Sequence, residues 1–454
     1  MNGGDLMNQR TINMTEGKPL SLMIRFAIPL MLGNIFQQLY TMIDTMIVGQ
    51  GVGVKALASL GAADWLNWMV IGVVTGFCQG FSIIISQAVG AGNQHRVNKS
   101  VALSTKLAIG IAIILTILAH LLCIPILKCL NTPLDIIDGS ITYLRVIFSG
   151  IIVTMAYNLF SSILRSFGDS KTPLVAMVIG SVTNIVLDLF FVYQLNWGIF
   201  GAAFATVIAQ VFASCFCFIY LCKLPQLKLT KQDFVKDSHL SWHLIKMGSP
   251  VAFQNAIISI GGLIVQYVIN GYGFIFVAGF TATNKLYGVL ELAAVSYGYA
   301  IATFAGQNHG AGKIERIKSG VKQAVILSIV TSVVISIVMI IFGKNIVSLF
   351  VSGNQPEVIQ VAYKYLFIMS ICLSILFLLH MYRNALQGMG DTLRPMISGI
   401  IELVCRISVA LLLPLYIGQD GIYYAEIIAW LGAELYLMYS YYKKIRLTLS
   451  TKNH

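Results

Sequence analysis

Apolar residues in this chain come in long blocks, near positions 20–49, 56–88, 101–127, 141–164, 173–195, 199–222, 244–269, 277–305, 322–342, 361–383, 394–417 and 422–442. Glycine, proline and polar clusters separate them. At 1.5 Å rise per residue, roughly 20 helical residues cross roughly 30 Å of hydrocarbon, so the pattern predicts twelve membrane-spanning helices. Irregular spans would leave backbone groups unpaired in lipid, which makes an all-α polytopic membrane protein the expected fold class.

The blocks repeat. Pro29 and Asn34 in the first match Pro250 and Asn255 in the seventh; QAVGAGN at Gln87 matches QNHGAGK at Gln307; SFGDSKTP at Ser166 matches QGMGDTLRP at Gln387. Because each copy holds six helices, the copies insert in the same orientation about an axis along the membrane normal. The reading therefore divides the chain into an N-terminal lobe (1–224), a charged cytoplasmic linker (225–240) and a C-terminal lobe (241–454).

Composition agrees: of 454 residues, 57% are apolar and 11% charged, and the mean hydropathy is +0.80. The net charge of +12 does not point to nucleic acid, because the basic residues sit in alternate loops (Arg96 and Lys99, Arg165 and Lys171, Lys228 to Lys236, Lys313 to Lys318, Arg383 and Arg394, Lys443 to Arg446). This is the positive-inside pattern of a multi-pass protein of the cytoplasmic membrane with both termini cytoplasmic. The leader Met1 to Lys18 lacks the apolar core of a cleaved signal peptide. The eight cysteines form no CxxC pair and read as free thiols. His239 and His243, spaced i, i+4 without a third ligand, read as a solvated helix start.

The repeated turns have local explanations. Gly90, Gly92, Gly310 and Gly312 suit left-handed helix ends, and Thr172 before Pro173 suits an N-cap. There is no GxxxxGKS, HExxH or GxSxG, so neither a nucleotide-driven pump nor a membrane-embedded enzyme is supported. Energy must come from an ion gradient or from the solute.

The order and spacing of IPLMLGNIFQQLYTMIDTMIVG, ISQAVGAGN, RSFGDSKTP, NIVLDLFF and GIFGAAFATVIAQ resemble the multidrug and toxic compound extrusion (MATE) transporters over essentially the whole chain. The N-terminal carboxylates are most similar to those of the DinF-like bacterial branch. The resemblance implies a cation-coupled exporter, with two six-helix lobes forming a V around a central cavity.

The candidate chemistry lies in the first lobe. Asp44 falls six residues before Gln50 on an outward-running helix, and Asp188 six before Gln194 on another, so the two lie at matching depth. Asn184 sits one turn below Asp188, while Thr206 and Tyr143 reach the same outer half from returning helices. A carboxylate at helix-centre depth costs about 2.5 to 3.5 kcal/mol and usually faces an ion or substrate path. Two in one pocket need a proton or Na+ between them, with Asn184, Thr206 and Tyr143 orienting them or adding oxygen ligands, as the resemblance also implies. The repeat puts Val265 opposite Asp44, Ala410 opposite Asp188 and Arg406 opposite Asn184, so this site is one-sided. Glu402 and Arg406, spaced i, i+4, read as a self-neutralising pair.

Gln37, Tyr40, Asn158, Asp64, Glu291 and Lys285 are candidate cavity residues, and Asp64 and Lys285 can equally serve only to balance charge. Pro29 is a candidate hinge. With only Lys285 and Arg406 read as deep cations, small organic cations or amphipathic drugs are the expected cargo. Lipid-linked precursors or a small metabolite are the alternative. The expected assembly is a monomer in lipid, with no cofactor beyond H+ or Na+.

Overall fold

A computed structural model describes residues 11–348 and 355–450. Among them the secondary structure is helical throughout: α1 (Pro19–Gly51), α2 (Val54–Gly90), α3 (Gln94–Cys129), α4 (Leu134–Ser149), α5 (Ile151–Ser166), α6 (Lys171–Asp188) and α7 (Gly198–Cys222), then α8 (Ser238–Asn270), α9 (Phe274–Gly310), α10 (Ile314–Ser348), α11 (Pro356–Gly388), α12 (Leu393–Leu412), the single turn α13 (Pro414–Ile417) and α14 (Ala425–Ser450). Counting α4 and α5 as one span, and α12 and α14 as two, gives the twelve expected crossings.

Three local features depart from the pattern of apolar blocks. The fourth span is broken at Gly150, where α4 and α5 meet at 50°; a Cβ there would stand 2.7 Å from the Val207 side chain. The fifth continues past Asp188 as a π-helical segment, Leu189–Gln194. The eleventh stops at Leu412, not 417, since Pro414 opens a new turn instead of continuing the helix.

The helix ends follow from their residues. Gly92 and Gly312 adopt φ of +67° and +71° after α2 and α9, the left-handed conformation that glycine takes without a steric penalty, whereas Gly90 and Gly310 remain helical. Thr172 is not the cap of α6. The N-cap position is Ser170, and Asp169 before it satisfies the helix end: its Oδ1 accepts from the N–H groups of Lys171 (3.0 Å) and Thr172 (2.9 Å), and the Thr172 hydroxyl donates to its other oxygen. A carboxylate outcompetes a hydroxyl here because it also meets the positive end of the helix dipole. Asp391 stands in the same place before α12, accepting from Arg394 N at 3.3 Å.

Two compact units emerge among the described residues, 28–256 with 11–13, and 257–348 and 355–450 with Met14–Ala27. Both α1 and α8 change unit part-way, α1 between Ala27 and Ile28 beside Pro29. Within the first unit the early part of α8 packs against α2 with almost no side chain between them. A Cβ on Gly76 would lie 2.4 Å from Ala252 Cα, and one on Gly80 2.3 Å from Gly248 Cα. Asn255, on the same stretch, donates to the Gly72 carbonyl at 2.9 Å. The linker lies on α3 of this unit, through the Lys99–Asp237 ion pair (2.8 Å) and the Asn98 amide on Lys228 O (2.8 Å). In the second unit Met14 is fully buried, its N–H donating to Gln307 Oε1 at 2.9 Å and its carbonyl accepting from Asn308 at 2.9 Å.

Candidate functional site

In the first unit, α1, α4, α6 and α7 deliver the predicted polar groups to one region. Asp188 is fully buried, Asn184 is 1% exposed, Tyr143 8%, and Asp44 and Thr206 are half-buried. The Asp44 and Asp188 carboxyls lie near enough for each to act on the other's charge. Tyr143 and Tyr40 lie within Coulombic range of both. The Asn184 amide donates to Thr206 Oγ1 (3.3 Å), and that hydroxyl in turn donates to Ala202 O (3.1 Å). Thr206 is thereby the support that fixes the Asn184 amide plane.

This bonding leaves oxygen unused. Asp44 Oδ1, both Asp188 carboxylate oxygens and Asn184 Oδ1 are buried without a hydrogen-bond partner, and among the described residues no Lys, Arg or His forms an ion pair with either aspartate. An unpaired buried acceptor costs roughly 1–3 kcal/mol and a buried charge more. Four orphaned oxygens on two carboxyls and an amide form a donor set suited to a proton or a hard monovalent cation. The π-helical segment begins immediately after Asp188, and such widened turns recur at functional positions in helices.

Beside this cluster a partly open cleft is lined by Gln37, Tyr40, Tyr157, Met177, Ser181, Asn184, Thr206 and Gln210. Its lining carries no formal charge. Gln37 and Tyr40 are thus brought together with the ion-site residues. Asn158 is not on this wall, because its amide donates to Thr154 O one turn back at 2.8 Å. Asp64 is exposed on α2, within Coulombic range of Tyr143. Pro29 is buried within a helix that runs unbroken from Pro19 to Gly51.

The second unit presents a different arrangement. Glu402 accepts from Arg406 (3.0 Å), as its spacing predicted, but also from Arg383 (2.8 Å), and Arg406 reaches Glu426 at 2.7 Å. The expected pair is therefore a four-membered network joining α11, α12 and α14. Arg383 is a correction: it is 7% exposed inside α11, not a loop cation, and it joins Arg406 as a second deep guanidinium. Glu291, half-buried on α9, meets His380 of α11 at 3.3 Å. Lys285 lies exposed on α9. Sequence reasoning missed His380, Arg383 and Glu426. The first two carried a signal, since i, i+3 spacing on an apolar helix places both on one face.

Comparison with known proteins follows the geometry. A profile of the MatE family matches residues 29–190 and again residues 250–412, one match to each half of the repeat. The chain is 30% identical to the probable multidrug resistance protein YpnP of Bacillus subtilis, covering 96% of this chain and 99% of that one. It is 24% identical to an FAD transporter of Shewanella oneidensis, over 87% and 86% of the two chains. A solved structure described as the outward-facing conformation of a multidrug resistance MATE family transporter aligns with a TM-score of 0.90 over 99% of each chain, at 22% identity, which speaks for the fold alone. With the profile matched twice and a relative aligned nearly end to end, the chain belongs to the MatE family and is a multi-pass membrane transporter, not an enzyme.

Proposed function

We propose that the protein is a cation-coupled antiporter of the cytoplasmic membrane, with both termini on the cytoplasmic side, that exports amphipathic and often cationic organic compounds against inward H+ or Na+. The observation that carries this is the set of orphaned oxygens on Asp44, Asp188 and Asn184, next to an uncharged cleft whose walls include Gln37, Tyr40 and Tyr157. Within a monomer in lipid, no further cofactor is required. The cycle follows from charge. A proton shared by Asp44 and Asp188, or Na+ held by them with Asn184, draws α1 and α6 together, and its loss sets two anions against each other. Pro29, which lacks an amide donor, is where α1 yields. A ligand shifts such an equilibrium only through unequal affinity for the two states, so ion and drug must favour different ones.

We favour the proton as the coupling ion, because two buried carboxyls without a cationic partner can hold one between them. The test is export from energised vesicles with the proton and sodium gradients imposed separately; efflux driven by sodium alone would replace H+ with Na+. The alternative cargo, an anionic metabolite or lipid-linked precursor, draws support from the FAD-transporting relative. Against it, the cleft lining has no basic side chain, and Arg383 and Arg406 are already committed to glutamates. Dye retention in cells that overproduce the protein separates the two cargo classes.

A further inference from the structure

The second unit's polar groups do not balance. Arg383 and Arg406 answer Glu402 and Glu426 at 2.7 to 3.0 Å, leaving two cations against two anions, fully matched. Glu291 is a third carboxylate within Coulombic range of Glu426, and its ion-pair partner is His380 at 3.3 Å. His380 is in turn within Coulombic range of Glu402. With a neutral imidazole the cluster carries one net negative charge; with an imidazolium it carries none.

We propose that the Glu291–His380 pair is a second proton-binding site of this transporter, separate from Asp44 and Asp188, holding one exchangeable proton that switches the second unit's cluster between one net negative charge and neutrality. Accessibility fits, since the Glu291 side chain is 31% exposed and that of His380 13%, whereas Glu402 and Arg406 are almost sealed at 4% and 5%. Imidazole is also the side chain type suited to gaining and losing a proton near neutral pH. The surrounding elements add known charges. From α12 come Glu402 and Arg406, from α14 Glu426 and, two turns on, Glu434, from α11 Arg383, and from α9 itself Tyr287, stacked on Trp430. Among the described residues α10 brings no ion pair to its packing against α9 and α11. Deprotonated, the pair leaves the half-exposed Glu291 carboxylate free to attract an organic cation; protonated, it offers no such charge. This role in transport rests on the antiport reading above, but the proton itself is read without gradient or substrate, so the two can fail separately.

The test is nuclear magnetic resonance of the purified protein in detergent micelles with histidine imidazoles isotopically labelled. Seven histidines give the resonances, and His380→Gln assigns one by removing it. We expect the His380 resonance to move with pH, and Glu291→Gln to shift that response by about one pH unit, the size expected on losing an adjacent anion. A His380 resonance that does not move with pH, or that keeps its midpoint in Glu291→Gln, overturns the site. If His380→Gln does not fold, Glu291→Gln carries the test alone, since one of the seven midpoints must move. In the same samples, binding of tetraphenylphosphonium is expected to weaken on acidification in the unaltered protein and to lose part of that dependence in His380→Gln, the remainder belonging to Asp44 and Asp188. An undiminished dependence there overturns the link between the proton and cation attraction.

Discussion

The two halves of the repeat treat their buried polar groups in opposite ways. In the first unit two aspartates and an asparagine face one another with four oxygens unpaired. The equivalent positions in the second are the buried apolar Val265 and Ala410 and the arginine Arg406, and there Glu402 and Glu426 find guanidinium partners within 3.0 Å. One region is short of a cation, while the other has supplied its own. On a duplicated scaffold, residue choice therefore decides whether buried polar groups are paired within the protein or left without partners.

The contrast predicts opposite consequences for substitution. The largest effect on transport is expected from Asp188→Asn and Asp44→Asn, which keep shape and remove the titrating group. Gradient-driven dye efflux should disappear at matched membrane expression, and thermal stability should hold or rise, because a buried charge without a partner is removed. Full efflux by both variants would move the coupling site elsewhere. Arg406→Met is expected to invert the pattern. It strands Glu426 and leaves Glu402 with Arg383 alone, a loss of roughly 3–5 kcal/mol for a broken buried pair, seen as a lower melting temperature and poor yield. Normal stability in that variant would erase the distinction between the units. Thr206→Val is intermediate: freeing the Asn184 amide should cost about 1 kcal/mol, roughly a fivefold rise in the ion concentration that half-saturates export. Pro29→Ala restores one backbone hydrogen bond and should slow turnover several-fold with export retained; unaltered transport and ion response would remove the proline from the mechanism.

The smallest effect concerns the linker. Hydrogen bonds from the Thr230 backbone and hydroxyl hold Asp233 below the usual carboxylate range, and the Leu240 N–H does the same for Asp237. Since both folded values are depressed, this stabilisation is complete above the ordinary carboxylate range and is lost as pH falls through it. Limited proteolysis within 225–240 should accelerate below about pH 4. An unchanged cutting rate would show that these caps do not hold the linker.

Much of this was legible in the sequence, and the parts that were not share a physical reason. Long apolar blocks and paired glycine turns are local signals, so the helices and the repeat could be read directly. Asp44, Asp188 and Asn184 could be brought together because depth in a membrane is one-dimensional and can be counted from a helix end. Neighbours around a helix bundle cannot be counted that way. Arg383, Glu426 and His380 join their partners from separate helices, and Arg383 was misassigned because a charge close to a turn looks like a loop residue. The π-helical segment after Asp188 and the bend at Gly150 depend on packing and leave no periodic trace.

The four-membered network also constrains how the protein is made. Arg383, Glu402 with Arg406, and Glu426 lie on three helices that leave the ribosome in sequence. Alone in lipid, α11 carries an unmatched cation, and α12 a pair that lacks its outer anions and cations. Neutrality is reached only when α14 arrives, dozens of residues later, so these helices must wait for one another at the insertion machinery or beside it. In a chain interrupted before Glu426, the three remaining members of the network would keep a surplus positive charge among themselves, a mark by which quality control could recognise an unfinished transporter.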